Sequence, residues 1–289
     1  MAAAVEIEAF FHPGTGTWSY LLFDPLLRRA AVIDPVLDFD PDCARVSTDS
    51  AGRILDRIRQ LDLGLDWLLE THVHADHLSA AHWLRGECPG ALIGIGRGVL
   101  EVQKHFRALF GLGDDFPVDG SQFDRCFDDG DRVALGGHTL QVLTTPGHTS
   151  DSVSYLIDDV VFVGDTLFLP DSGTARCDFP GGSAEQLYAS IQRLFALPEA
   201  TQVMVCHDYG GAGREPACRS SIGEQRGQNS HLGGGRSQAD FVALRKARDA
   251  TLQVPKLILP ATQVNIRAGA LPEAEANGRR YLKLPINAL

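Results

Sequence analysis

The stretch Thr71-His72-Val73-His74-Ala75-Asp76-His77 crowds His72, His74, Asp76 and His77 into one short loop. Further donors follow downstream: His148 after Pro146-Gly147, Asp165 after Gly164, and His207 after Cys206. Imidazole and carboxylate together are a donor set for a metal ion. A lone histidine reads as a side chain satisfied by backbone hydrogen bonds. A dense cluster with matching donors further along the chain reads as a metal centre.

Such donors need rigid supports, and the apolar runs supply them. Glu6 to Phe11, Thr17 to Phe23 and Ala30 to Ile33 read as strands separated by Pro13-Gly14 and Asp24-Pro25. Ile54, Leu55, Ile58 and Leu61 recur at helical spacing, so Ser47 to Leu61 reads as a helix capped by Ser47 or Thr48. Leu65 to Leu69 reads as a buried strand running into the histidine loop, with a short helix from about Ser79 to Arg85 beyond it. Ala91 to Ile95 is a strand and Val99 to Leu109 a helix. Thr139 to Thr144 precedes His148, Val160 to Val163 precedes Asp165, and Val203 to Cys206 precedes His207. Asp158-Asp159 marks a hairpin between Val153–Ile157 and the next strand. Ser183, with Gln186 in capping-box position, opens a helix to about Leu197, and Ser237 with Asp240 opens another to about Leu252. Every donor cluster thus follows a strand. The order predicts an α/β fold, with a catalytic unit over 1–209 and a C-terminal extension over 210–289 that is loop-rich at 210–235 and folds back on the same domain.

Composition narrows the function classes. The chain has 289 residues, 44% apolar and 22% charged, enough for a sizeable core. Its net charge of −11 argues against a nucleic-acid partner, which needs a basic face. No apolar run approaches the ~20 residues of a membrane span, so no membrane association is expected. The start, MAAAVEIEAFFHPG, lacks a basic leader and reads as a cytoplasmic protein's. Six scattered cysteines without CxxC read as reduced thiols. Gly94-Ile95-Gly96-Arg97-Gly98 lacks the third glycine of a nucleotide loop, Val99 standing there instead.

In this order THVHADH, PGHT, GDT and HDY resemble the metallo-beta-lactamase superfamily. The resemblance implies an αββα sandwich of two mixed sheets flanked by helices, with the metal at one edge. In finer detail, GDTLFLPDSGTARCDFPGG (164–182), CHDY (206–209) and QVNIRAG (263–269) resemble the persulfide dioxygenase (sulfur dioxygenase) family. That likeness implies oxidation of glutathione persulfide by O2 to sulfite and glutathione at one non-haem Fe(II). It implies His72, His148 and Asp165 as the iron ligands, and it leaves a homodimer open. His74, Asp76, His77 and His207 match positions that build a two-metal site in hydrolytic relatives. They are expected here in the outer shell, with His207 and Tyr209 as the catalytic side chains. The alternative is a two-zinc, glyoxalase II-like thioester hydrolase using the same donors.

Glutathione carries two carboxylates, which suit the planar fork of arginine. Arg176, in GTARCDF, and Arg267, in VNIRAG, are the expected contacts, with Tyr209 offering a hydroxyl to substrate or bound oxygen. The extension, anchored by Phe241, Leu244, Leu252, Leu257 and Leu259, is expected to wall the site and bring Arg267 beside Arg176. Cys177 and Cys206 are read as structural.

Overall fold

The structure is a computed structural model describing residues 4–210 and 213–288. The first half runs β1 (Glu6–His12), β2 (Thr17–Asp24), β3 (Arg29–Ile33), β4 (Val36–Asp40), β5 (Arg45–Ser47), α1 (Asp49–Gln60), β6 (Gly64–Leu69), β7 (Leu78–Ser79), α2 (Ala81–Glu87), β8 (Leu92–Gly96), α3 (Val99–Leu109) and β9 (Arg125–Phe127). There follow β10 (Arg132–Leu135), β11 (His138–Thr144), β12 (Val153–Ile157), β13 (Val160–Phe162), a 3-10 turn (Gly164–Thr166) and α4 (Ala184–Phe195). The chain then forms β14 (Gln202–Met204), β15 (Arg219–Ser221), α5 (Ile222–Gln228), α6 (Gln238–Asp249) and α7 (Ile258–Asn265).

Two six-stranded sheets, ordered β1-β2-β3-β6-β8-β9 and β10-β11-β12-β13-β14-β15, face each other, with a small β5-β4-β7 sheet beside them. Strand alternation explains the layering. Tyr20, Leu22, Ala31, Ile33 and Leu69 point inward and meet Leu140, Val142, Tyr155 and Phe162 of the second sheet. Their neighbours Leu21, Phe23, Val32 and Leu68 point outward into a layer with Ile54 and Ile58 of α1, Val102 of α3 and Val264 of α7. Val161 and Val203, from the other sheet, pack with Leu187 of α4, Ile222 of α5 and Phe241 of α6. The result is the αββα sandwich, and it sets the C-terminal ends of β6, β11, β13 and β14 along one rim.

Several local expectations shift. Thr48 is the N-cap residue of α1 but makes no side-chain cap bond. Asp38 of β4 instead accepts the Ser50 N–H at 2.8 Å, a cap supplied across space rather than in sequence. Ser79 belongs to β7, and its hydroxyl accepts the Ala81 N–H at the start of α2. The described residues of 213–235 carry more regular structure than their glycines suggest: β15 extends the second sheet, and α5 opens on a full capping box of Ser221 and Glu224. The glycines of 94–98 serve close packing. A Cβ at Gly96 or Gly98 would collide with the carbonyl oxygens of Asp151 and Ser150.

Candidate metal centre

The loops after β6, β11, β13 and β14 converge at the rim and bring together His72, His74, Asp76, His77, His148, Asp165 and His207. Most of these side chains are fully buried, yet His72 Nε2, His74 Nδ1, His77 Nε2, His207 Nε2 and Asp165 Oδ1 have no hydrogen-bond partner. Orphaned buried polar atoms are costly. Their common location is accounted for if they ligate a cation.

The opposite nitrogens of these rings are all engaged. His148 Nδ1 donates to the Arg176 carbonyl at 2.7 Å, and His77 Nδ1 to the Leu78 carbonyl at 3.2 Å. His72 Nδ1 lies 3.0 Å from Thr71 Oγ1, whose own hydrogen goes to Asp34 Oδ2 at 2.8 Å. His74 Nε2 donates to Asp34 Oδ1 at 3.0 Å, and Asp34 also accepts the Thr71 N–H at 2.7 Å. On His72, His77 and His148 each outward N–H leaves an inward lone pair, the arrangement that orients metal-binding imidazoles. The chemistry of the donor set therefore fits a metal ion.

Electrostatics agree. Burial pushes His72 well below the ordinary imidazole range and His77 down to about 3, keeping both rings neutral. Burial opposes charge on Asp76, but His207, His77 and His74 outweigh it and lower its carboxyl to about 2. Burial also opposes charge on His74, yet Asp34 and Glu70 hold its proton well above the usual range. A metal at His74 Nδ1 would displace that proton.

Donor atoms of His72, His148 and Asp165 lie within 4.8 Å of one another, and so do those of His74, His77, Cys206 and His207. Asp165 touches the second group too, 3.3 Å from His207 Nε2. Asp76 Oδ2 is 3.2 Å from His207 Nε2 and accepts the Tyr209 hydroxyl at 3.1 Å. Tyr209 thus spends its hydroxyl on Asp76, with its ring parallel to that of His207 at 5.5 Å.

A cavity of about 290 Å³ opens beside His148, Asp165, Asp76 and Tyr209, walled by Phe168, Phe179, Arg176, Arg245, Arg248, Leu252 and Pro255. Arg176 reaches this wall, but its guanidinium is bound to Asp178 and to the Gln253 carbonyl. Arg267 does not reach it. It stacks over Phe116 at 4.7 Å and donates to the Gln263 carbonyl one helical turn back, because α7 runs behind the histidine loop. The extension instead contributes α6. Arg245 is buried against Asp249 and the Thr174 carbonyl, while exposed Arg248 has no ion-pair partner among the described residues. Arg248 was not singled out from the sequence; its i+3 relation to the cavity-lining Arg245 is the signal that could have found it.

Asn265 of α7 was also missed. Its amide donates to the His74 and His77 carbonyls, both at 2.8 Å, and its oxygen accepts the Ser79 N–H at 2.8 Å. A buried asparagine in an apolar helix needs such partners. Burial pushes Cys177 up to about 12 and Cys206 well above the thiol range, so without an ion both carry their protons, and all six cysteines are free.

Among the described residues no helix is long and apolar enough to cross a membrane. Comparison with known proteins places this architecture. A probable metallo-hydrolase of Burkholderia pseudomallei is 50% identical over 99% of this chain and its own full length. Glyoxylase B2 of Dictyostelium discoideum is 45% identical over 100% of this chain and 99% of its own. The mitochondrial persulfide dioxygenase ETHE1 of Homo sapiens is 30% identical over 92% of this chain and 90% of its own. The crystal structure of ETHE1 from Myxococcus xanthus superposes with a TM-score of 0.73 at 33% identity, covering 92% of this chain and 100% of that one. A family model matches residues 12–207, and with the sandwich and its rim of histidines it establishes that the chain belongs to the metallo-beta-lactamase superfamily.

Proposed function

We propose that this protein oxidises glutathione persulfide with O2 to sulfite and glutathione, using one iron(II) held by His72, His148 and Asp165. The outer persulfide sulfur is oxidised, O2 supplies two of the sulfite oxygens and water the third. The observation that carries the reading is the convergence of those three donors within 4.8 Å, beside a cavity with a free arginine on its wall. Likeness to the human persulfide dioxygenase over most of the chain supports it. Two histidines and one carboxylate leave open positions, and iron(II) bound there would supply the O2 chemistry.

The remaining work falls to the chain. Arg248 takes a glutathione carboxylate, since Arg176 is already neutralised by Asp178. Phe168 and Phe179 keep water from the sulfur end, and Arg176 orients His148 through its backbone carbonyl. Tyr209 holds Asp76.

A second reading has its own support. His77 Nε2 and His207 Nε2 are also buried orphans, so the donors for a second ion are present. With the likeness to glyoxylase B2, they favour a two-zinc hydrolase of glutathione thioesters. Metal analysis decides between them: one iron per chain with O2 uptake on glutathione persulfide supports the dioxygenase. Two zinc ions per chain, with no O2 uptake by the iron-loaded protein, overturn it.

A further inference from the structure

His207 also reaches away from the metal centre. Its Nδ1 lies 3.3 Å from Thr17 Oγ1, which lies 2.6 Å from Thr15 Oγ1. Thr15 Oγ1 is 2.7 Å from His12 Nδ1, and His12 Nε2 is 3.3 Å from Asp38 Oδ1. This string ends at a cleft of about 990 Å³ lined by His12, Thr15 and Asp38, which shares Asp76 and Tyr209 with the cavity beside the metal centre. Backbone bonds clamp its inner end, with the Trp18 N–H donating to the Cys206 carbonyl at 2.7 Å and the Asp208 N–H to the Gly16 carbonyl at 2.8 Å.

The string has only one self-consistent direction. Asp38 acts as an acceptor on both oxygens, taking the Ser50 N–H at 2.8 Å and the Ser50 hydroxyl at 2.7 Å. It therefore asks for an N–H on His12 Nε2. Burial is the largest influence on His12 and, with Arg53, outweighs Asp38, so its pKa lies below the ordinary imidazole value and the ring is neutral at neutral pH. A neutral ring with hydrogen on Nε2 accepts at Nδ1, so Thr15 must donate to it. A hydroxyl has one hydrogen. Thr15 must then accept from Thr17, and Thr17 from His207 Nδ1–H.

We propose that Asp38, His12, Thr15 and Thr17 are positioning residues that fix the hydrogen of His207 on Nδ1, turning its Nε2 lone pair toward the metal centre. The opposite tautomer would aim an N–H at Asp165 Oδ1 and Asp76 Oδ2, which lie 3.3 and 3.2 Å away, and would compete with a metal for those oxygens. The string is independent of whether the centre holds one ion or two.

The test uses the zinc-loaded, diamagnetic protein. Nitrogen-detected NMR at neutral pH is expected to find the His207 hydrogen on Nδ1 and the His12 hydrogen on Nε2. Thr15→Val, which touches no metal-centre side chain, is expected to let Thr17 donate to His207, to populate the Nε2–H form and to weaken zinc retention against a chelator by about tenfold. Thr15→Ser restores both, while unchanged melting temperatures exclude a folding defect. A wild-type His207 with its hydrogen on Nε2 overturns the proposal. So does a Thr15→Val protein with wild-type tautomer and zinc affinity.

Discussion

The two halves of the metal centre are built from the same residue types but are differently committed. On one side His72, His148 and Asp165 face one another with their outward nitrogens tied to Thr71 and the Arg176 carbonyl. On the other side Asp76 Oδ2 lies 3.2 Å from His207 Nε2 and already accepts the Tyr209 hydroxyl. His148 and Asp165 of the first half line the cavity uncommitted, while Asp76 of the second half lines it with one oxygen already spent on Tyr209. Ligand identity alone therefore does not define a metal count; the partners behind and between the ligands do.

The comparison breaks most sharply at His148. His148→Ala is expected to strip the metal and cost more activity than the ~10–100-fold typical of changes behind a ligand, read by metal analysis and turnover. In the second half, His207→Ala is expected to keep one metal per chain and lose ~10–100-fold in metal affinity or rate. A fall from two metals to one in that variant would show the halves to be equivalent.

On the cavity wall, Arg248→Met is expected to lower kcat/KM for glutathione persulfide by roughly tenfold to 150-fold. This is the equivalent of a charge-assisted bond of ~1.5–3 kcal/mol. Arg267→Met, behind the loop, is expected to leave kcat/KM unchanged. Tyr209→Phe sharpens the contrast more gently. Freeing Asp76 of one solvent-exposed hydrogen bond of ~1 kcal/mol should change the rate about fivefold, without loss of the first metal.

The smallest effect is on stability. His231, which accepts the Thr174 N–H at 3.0 Å and so braces the wall, is lowered by burial to about 4. The unfolded imidazole protonates near ~6.5. Between pH 6.5 and about 4 the unfolded chain binds the extra proton, so stability is intact above that window, falls as pH drops through it and levels off below. A melting-temperature profile should show this slope, and His231→Gln should flatten it.

Much of the rim was legible because each donor cluster is short, local and attached to a strand whose periodicity announces itself. What stayed illegible depends on contacts between distant segments. Arg267 was placed by its neighbourhood in sequence, but the α7 turn sends its side chain back to Gln263 and Phe116. Arg248 lies outside every motif and reaches the cavity only because Phe241 buries the inner face of α6. The Asp38 cap on α1 joins residues that no helix-start rule connects. The capping box at Ser221 and Glu224 was readable and was masked by the surrounding glycines.

The Asn265 clip has a consequence for timing. Asn265 stands 188 residues after His77, whose carbonyl it holds. A chain emerging at ~5–20 residues per second makes the histidine loop roughly 10–40 s before the residue that braces it. The loop's donors are therefore synthesised long before their backbone support exists. An ion captured in that interval meets an unbraced loop, so final selection among metals belongs to the finished chain rather than the growing one.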